Sequence, residues 1–82
     1  MHKCTNFQFE IAEEGLVDLS IYDLQGRKVR TIVHDRMAPS AYGNFWDGTN
    51  DAHLQARNGI YFARLLAPGL KKPISYRLAL AR

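Results

Sequence analysis

Asp47, Asn50 and Asp51 bring side-chain oxygens together within a few residues, which is the raw material of a calcium loop. Hard cations take carboxylate and amide oxygens. The D-x-[DN]-x-[DN]-G frame and its distal bidentate glutamate are missing here. The spacing therefore favours an Asx turn in which Asp47 accepts a backbone N–H just after Trp46, with calcium at Asp47, Asn50 and Asp51 kept as the alternative. His2, His34 and His53 are widely separated, and none has a second ligand at short spacing, so all read as surface or loop histidines. Cys4 is the only cysteine, which excludes an intramolecular disulfide and a cysteine-built zinc site. No metal or cofactor is expected.

Nucleophilic chemistry finds no better footing. Ser20, Ser40 and Ser75 could each be combined with a histidine and an aspartate, but none sits in a glycine-flanked nucleophile elbow. A chain this short would also struggle to enclose a ligand pocket and keep a core, so no enzyme is expected. Tyr61 and Phe62 suggest a stacking platform for single-stranded nucleic acid, but neighbours on a strand point to opposite faces. The net charge is +3, from 11 Lys+Arg against 8 Asp+Glu, and basic residues never run more than two together. Nucleic-acid footprints cluster on one element, so none is expected here.

The stretch Ile21 to Val29, IYDLQGRKV, sets one glycine between an acidic turn and a basic run. A phosphate loop needs several glycines and a helix N-terminus. Here Gly26 leads into a run with β patterning, so the stretch reads as a hairpin: a type I turn closed by a left-handed residue. Asp23 would accept backbone N–H bonds, and Gly26 would take a positive φ.

The elements around these residues follow from period-two patterning. Phe7, Phe9 and Ile11 share one face of a first strand; Val17, Leu19 and Ile21 share one face of a second. A third, about Lys28 to His34, alternates less cleanly, and the pattern lapses from Asp35 to Ser40, where Pro39 argues against a central strand. Tyr42 to Trp46 reads as a short strand, Asp47-Gly48 as a turn, Leu54 to Ala56 as a brief extended piece, and Asn58-Gly59 as another turn. Ile60 to Leu66 is apolar on both faces, and Ile74 to Leu80 alternates Ile74, Tyr76, Leu78 and Leu80 inward. Trp46 is expected to be buried near Phe9, Ile21 or Phe62. About six or seven short strands and no 3.6-residue period predict one all-β domain over residues 1–82, an antiparallel β-sandwich. Its 82 residues would bury only about two-thirds of the unfolded surface. No apolar run reaches transmembrane length and no leader pattern opens the chain, which fits a cytoplasmic protein or a piece of a longer exported one.

Val17-Asp-Leu-Ser-Ile-Tyr-Asp23, Gln25-Gly-Arg-Lys-Val29, Trp46-Asp-Gly48, Asn58-Gly-Ile-Tyr-Phe62 and Tyr76-Arg-Leu-Ala-Leu80, in this order, carry a resemblance over nearly the whole chain. The chain resembles the immunoglobulin-like domain of the flagellar hook-capping protein and the related C-terminal sorting domains of type IX secretion substrates. The resemblance implies an immunoglobulin-like, fibronectin III-like sandwich with structural positions at Gly26, Trp46, Asp47, Gly48, Gly59 and Tyr61. It implies a non-catalytic sorting, anchoring or assembly module of a secreted or cell-surface bacterial protein, working through protein partners and without membrane insertion. The alternative is a structural subunit or adhesion module that assembles through exposed strands. The Asn-Pro-Phe-like segment common ahead of the first strand in sorting domains is absent. The last strand and its basic residues, Lys71, Lys72, Arg77 and Arg82, are the expected partner surface, with the strand's own backbone available if it lies at a sheet edge.

Overall fold

The period-two runs become six strands in the computed structural model, which describes residues 5–81: β1 (Thr5–Ile11), β2 (Gly15–Asp23), β3 (Lys28–Met37), β4 (Ser40–Trp46), β5 (Gly59–Leu66) and β6 (Ile74–Leu80). They form two antiparallel sheets, β1-β4 and β3-β2-β5-β6, that pack against each other. The faces buried between them are those marked by alternation. Phe7 and Ile11 of β1, Val17, Leu19 and Ile21 of β2, Trp46 of β4, and Tyr61, Ala63 and Leu65 of β5 form one core with Leu80. Phe9 and Tyr42, directly opposite in the β1-β4 ladder, stack with ring centroids 5.9 Å apart.

Three elements differ from the sequence expectation. β3 continues to Met37 and β4 begins at Ser40, so Pro39 falls in the two-residue link that carries the chain from one sheet to the other. No ladder bond needs its missing N–H there. The irregular alternation of β3 comes from two register shifts: Leu19 pairs Val33 while Ser20 pairs Thr31, and Ile21 pairs Arg30 while Tyr22 pairs Lys28. Ile32 and Val29 are the skipped residues, and such bulges turn both toward the core, where they pack with Val33 and Met37. Leu54 to Ala56 is not a strand; only a single bridge, Thr49 to Gln55, marks the region.

The largest correction concerns β6. Leu80 is buried and Leu78 half-buried, but Ile74 and Tyr76, expected inward, are 37% and 45% exposed. Their side of the strand does face the opposite layer, but that layer is only two strands wide where the larger sheet has four. A groove therefore runs between β1 and β6. Phe7, Phe9, Tyr76 and Leu78 line one part of it, and Phe9, Glu10, Leu70 and Ile74 the next. Along it β1 ascends as β6 descends, so Thr5 and Leu80 lie at the same end of the molecule as the Trp46–Tyr61 contact.

Candidate functional site

The polar motifs singled out in the sequence gather at that same end. In the β2–β3 hairpin, Asp23 Oδ1 accepts the amides of Gln25 and Arg27, both at 2.9 Å, and the Gly26 N–H donates to the Asp23 carbonyl at 3.0 Å. Gly26 has φ 82°, a conformation that strains any residue with a Cβ. The Arg27 amide, with its guanidinium 3.0 Å away, holds the Asp23 carboxyl below its ordinary range. All of this chemistry serves the turn.

Trp46 closes the core at this end. It is 1% exposed, its ring meets Tyr61 edge-on at 5.1 Å, and its Nε1–H donates to the Thr49 carbonyl at 2.8 Å. The partner ring is thus Tyr61. Ile21 shares the core and Phe9 packs against it, while Phe62 lies on the other face of β5. Tyr61 reaches back to the Arg57 carbonyl at 2.6 Å, which pins the start of β5 to the loop before it. Asp47 Oδ1 accepts both the amide and hydroxyl of Thr49, at 3.1 and 2.6 Å, and the Thr49 hydroxyl bond above all holds the Asp47 carboxyl below its ordinary range. Gly48 at φ 84° and Gly59 at φ 155° sit at the two ends of this loop.

The other oxygens of the calcium alternative point elsewhere. Asn50 Oδ1 accepts the amides of Ala52 and Leu54, and Asp51 Oδ1 accepts that of Thr31. Arg30 Nη1 is inserted among them, donating to Thr49 Oγ1 at 3.0 Å and the Asn50 carbonyl at 2.9 Å. A guanidinium holds the centre of this loop, and its oxygens diverge to separate backbone donors. Nothing in the sequence pattern pointed to Arg30.

One serine, one aspartate and one histidine do come together. Ser20 Oγ donates to Asp18 Oδ1 at 2.7 Å, and Asp18 Oδ2 lies 2.9 Å from His34 Nδ1. The order is wrong for nucleophile activation, because the carboxylate stands between serine and imidazole instead of behind the imidazole. Ser20 is also fully buried, out of reach of a substrate. Burial pushes the Asp18 carboxyl up, but the hydrogen bonds from Ser20 and His34 outweigh it and leave Asp18 below its ordinary range. His53 lies 3.4 Å from Arg30 and adopts a positive φ of 63° in its loop. His2 and Cys4 lie outside the described residues.

The expected partner surface is at the opposite side of the larger sheet. Lys71 and Lys72 are exposed in the bend before β6, and Arg77 is exposed on it. Among the described residues the ion pairs are Arg27–Asp23 and Arg36–Glu14, with the His34 ring against Asp18, which leaves these three cations outside any pair. Arg82 lies outside the described residues. Among the described residues β6 is an edge strand, hydrogen-bonded to β5 alone, and β1 is bonded to β4 alone. The two open edges flank one groove. Comparison with protein-family models, curated proteins and solved structures finds no match to this chain.

Proposed function

We propose that this domain is a non-catalytic interaction module of the immunoglobulin-like type, serving as a sorting, anchoring or assembly unit in a secreted or cell-surface bacterial protein. The observation that carries the reading is the edge position of β6, with Lys71, Lys72 and Arg77 exposed beside it. A free edge offers a ladder of unsatisfied N–H and C=O groups to a partner backbone, and exposed cations steer acidic surfaces toward it. The Tyr61–Arg57 bond supports the immunoglobulin-like assignment: a tyrosine at the start of a late core strand, bonded to backbone a few residues upstream, is the tyrosine corner of such sandwiches.

The test is export. The domain fused to a reporter in a host with type IX secretion should direct the reporter to the surface, and replacing Lys71, Lys72 and Arg77 by glutamine should reduce that delivery without lowering the melting temperature. Normal delivery by the folded triple variant removes the basic residues from the mechanism. Failure of the unaltered fusion favours the second reading, an assembly or adhesion subunit, which the neighbouring open edges of β1 and β6 support.

A further inference from the structure

The reading as an interaction module leaves open what it binds and where, and the groove between β1 and β6 narrows both. We infer that this groove is an acceptor site for one extended strand supplied by a second polypeptide, which adds to the edge of β1 antiparallel and lies over β6. The inference rests on the interaction-module reading.

Three features of the groove select a strand. First, β1 spans seven residues and among the described residues has β4 as its one hydrogen-bonded neighbour, so alternate backbone N–H and C=O groups on its other side face the groove. Only another extended backbone can satisfy such a row in register. Second, the floor is apolar at strand spacing. Ile74, Tyr76 and Leu78 of β6 alternate along it with Phe7 and Phe9 on the β1 side, and Tyr76 and Ile74 are the side chains the two-stranded layer fails to cover. Sheets pack about 10 Å apart and strands within a sheet about 4.8 Å apart, so one strand beside β1 fills the vacant position above β6. Third, the groove is drawn out along β1 in two adjoining parts of about 210 and 290 Å³. It suits side chains inserted one at a time from a strand.

Charge gives the occupant a direction. Glu10, exposed on β1, borders the end of the groove near Ile74 and Leu70. A strand antiparallel to β1 starts beside Glu10, while Arg77 shares the outer face of the larger sheet with Phe62 and takes no part. The matching partner therefore has apolar residues at alternate positions and a basic residue toward its N-terminus.

The probe is the synthetic peptide Lys-Val-Thr-Val-Ser-Val-Glu, titrated into the 82-residue protein and followed by amide NMR. The expected result is saturable shifts confined to β1 and to Ile74, Tyr76 and Leu78, with slowed hydrogen exchange at alternate amides of β1. Tyr76→Glu, at an exposed position that leaves the fold intact, puts a charge in the apolar floor and should weaken binding about tenfold or more. Exchanging the peptide's terminal Lys and Glu should weaken it less. Absence of shifts, shifts on the outer face of the larger sheet, or equal binding by Tyr76→Glu overturns the inference. So does a dimer by sedimentation whose β1 amides are already protected, which would assign the edge to a second copy. The export experiment is independent: peptide binding without export removes the sorting role and leaves the acceptor groove, and export without peptide binding does the reverse.

Discussion

Trp46 shows how much a single side chain holds in a domain this small. Its ring is enclosed, its N–H is bonded to Thr49, and Tyr61 meets it edge-on, so removing it deletes packing on several sides and frees a carbonyl. Large-to-small changes of this kind cost about 3–5 kcal/mol, and a small domain holds only about 5–15 kcal/mol in total. Trp46→Ala should therefore be largely unfolded or melt far below the wild type by circular dichroism; a melting point within a few degrees would contradict the packing described. Tyr61→Phe keeps the ring and loses only the bond to Arg57, and should cost about 1 kcal/mol in urea unfolding. The Asp47 turn and the burial of Trp46 could be read from residue types, because turn chemistry and a lone tryptophan are local signals. The Tyr61–Trp46 and Tyr61–Arg57 contacts could not. They depend on how the loop between β4 and β5 folds back, and Arg30, reaching in from β3, is part of that answer.

At the scale of elements, β2 was the most legible strand, because it is flanked on both sides and its alternate residues Val17, Leu19 and Ile21 meet a covered face. β3 was legible only in part: each skipped residue at Val29 and Ile32 reverses the parity on which pattern reading depends. β6 shows a different limit. Periodicity marks which face of a strand is apolar but not whether a second layer covers it, so Ile74 and Tyr76 were assigned to a core that stops short of them. Connections carry their own constraints. A Cβ built on Gly15 would lie 2.5 Å from the Pro68 ring, which packs the β5–β6 turn directly against the glycine at the start of β2. Gly15→Ala should cost about 1–3 kcal/mol through overpacking. Gly26→Val meets no neighbour, and its cost of roughly 1–2 kcal/mol should come from the left-handed backbone alone. Equilibrium unfolding of the two variants separates the mechanisms: trimming Pro68 to alanine should rescue the first and leave the second unchanged.

For the whole molecule, three carboxylates, Asp18, Asp23 and Asp47, are held below their ordinary value of 3.8 by hydrogen bonds made in the folded state. A lowered folded pKa means that the unfolded chain binds more protons as pH falls toward that value. The stabilisation is complete above the unfolded pKa and drains away as pH falls through the folded one. Melting temperature should thus be level near neutrality and fall below about pH 4. Asp18→Asn, which keeps the shape and removes the titration, should flatten the acid side of that curve; an unchanged acid slope would show that Asp18 is not coupled to folding.

The placement of Thr5 and Leu80 at one end of the sandwich also determines how the domain answers to force. Tension applied between these points pulls across the strand axes, so β1 leaves β4 and β6 leaves β5 one residue pair at a time, beginning at Thr5–Trp46 and Leu80–Gly59. Strands loaded lengthwise would have to break many pairs together, whereas peeling breaks them in series at low load. The first pairs to part border the Trp46–Tyr61 contact, so a modest pull opens the core where it is most tightly closed. A strand seated beside β1 would add a second ladder to that strand, so β6 would peel first and β1 would follow only at a higher load.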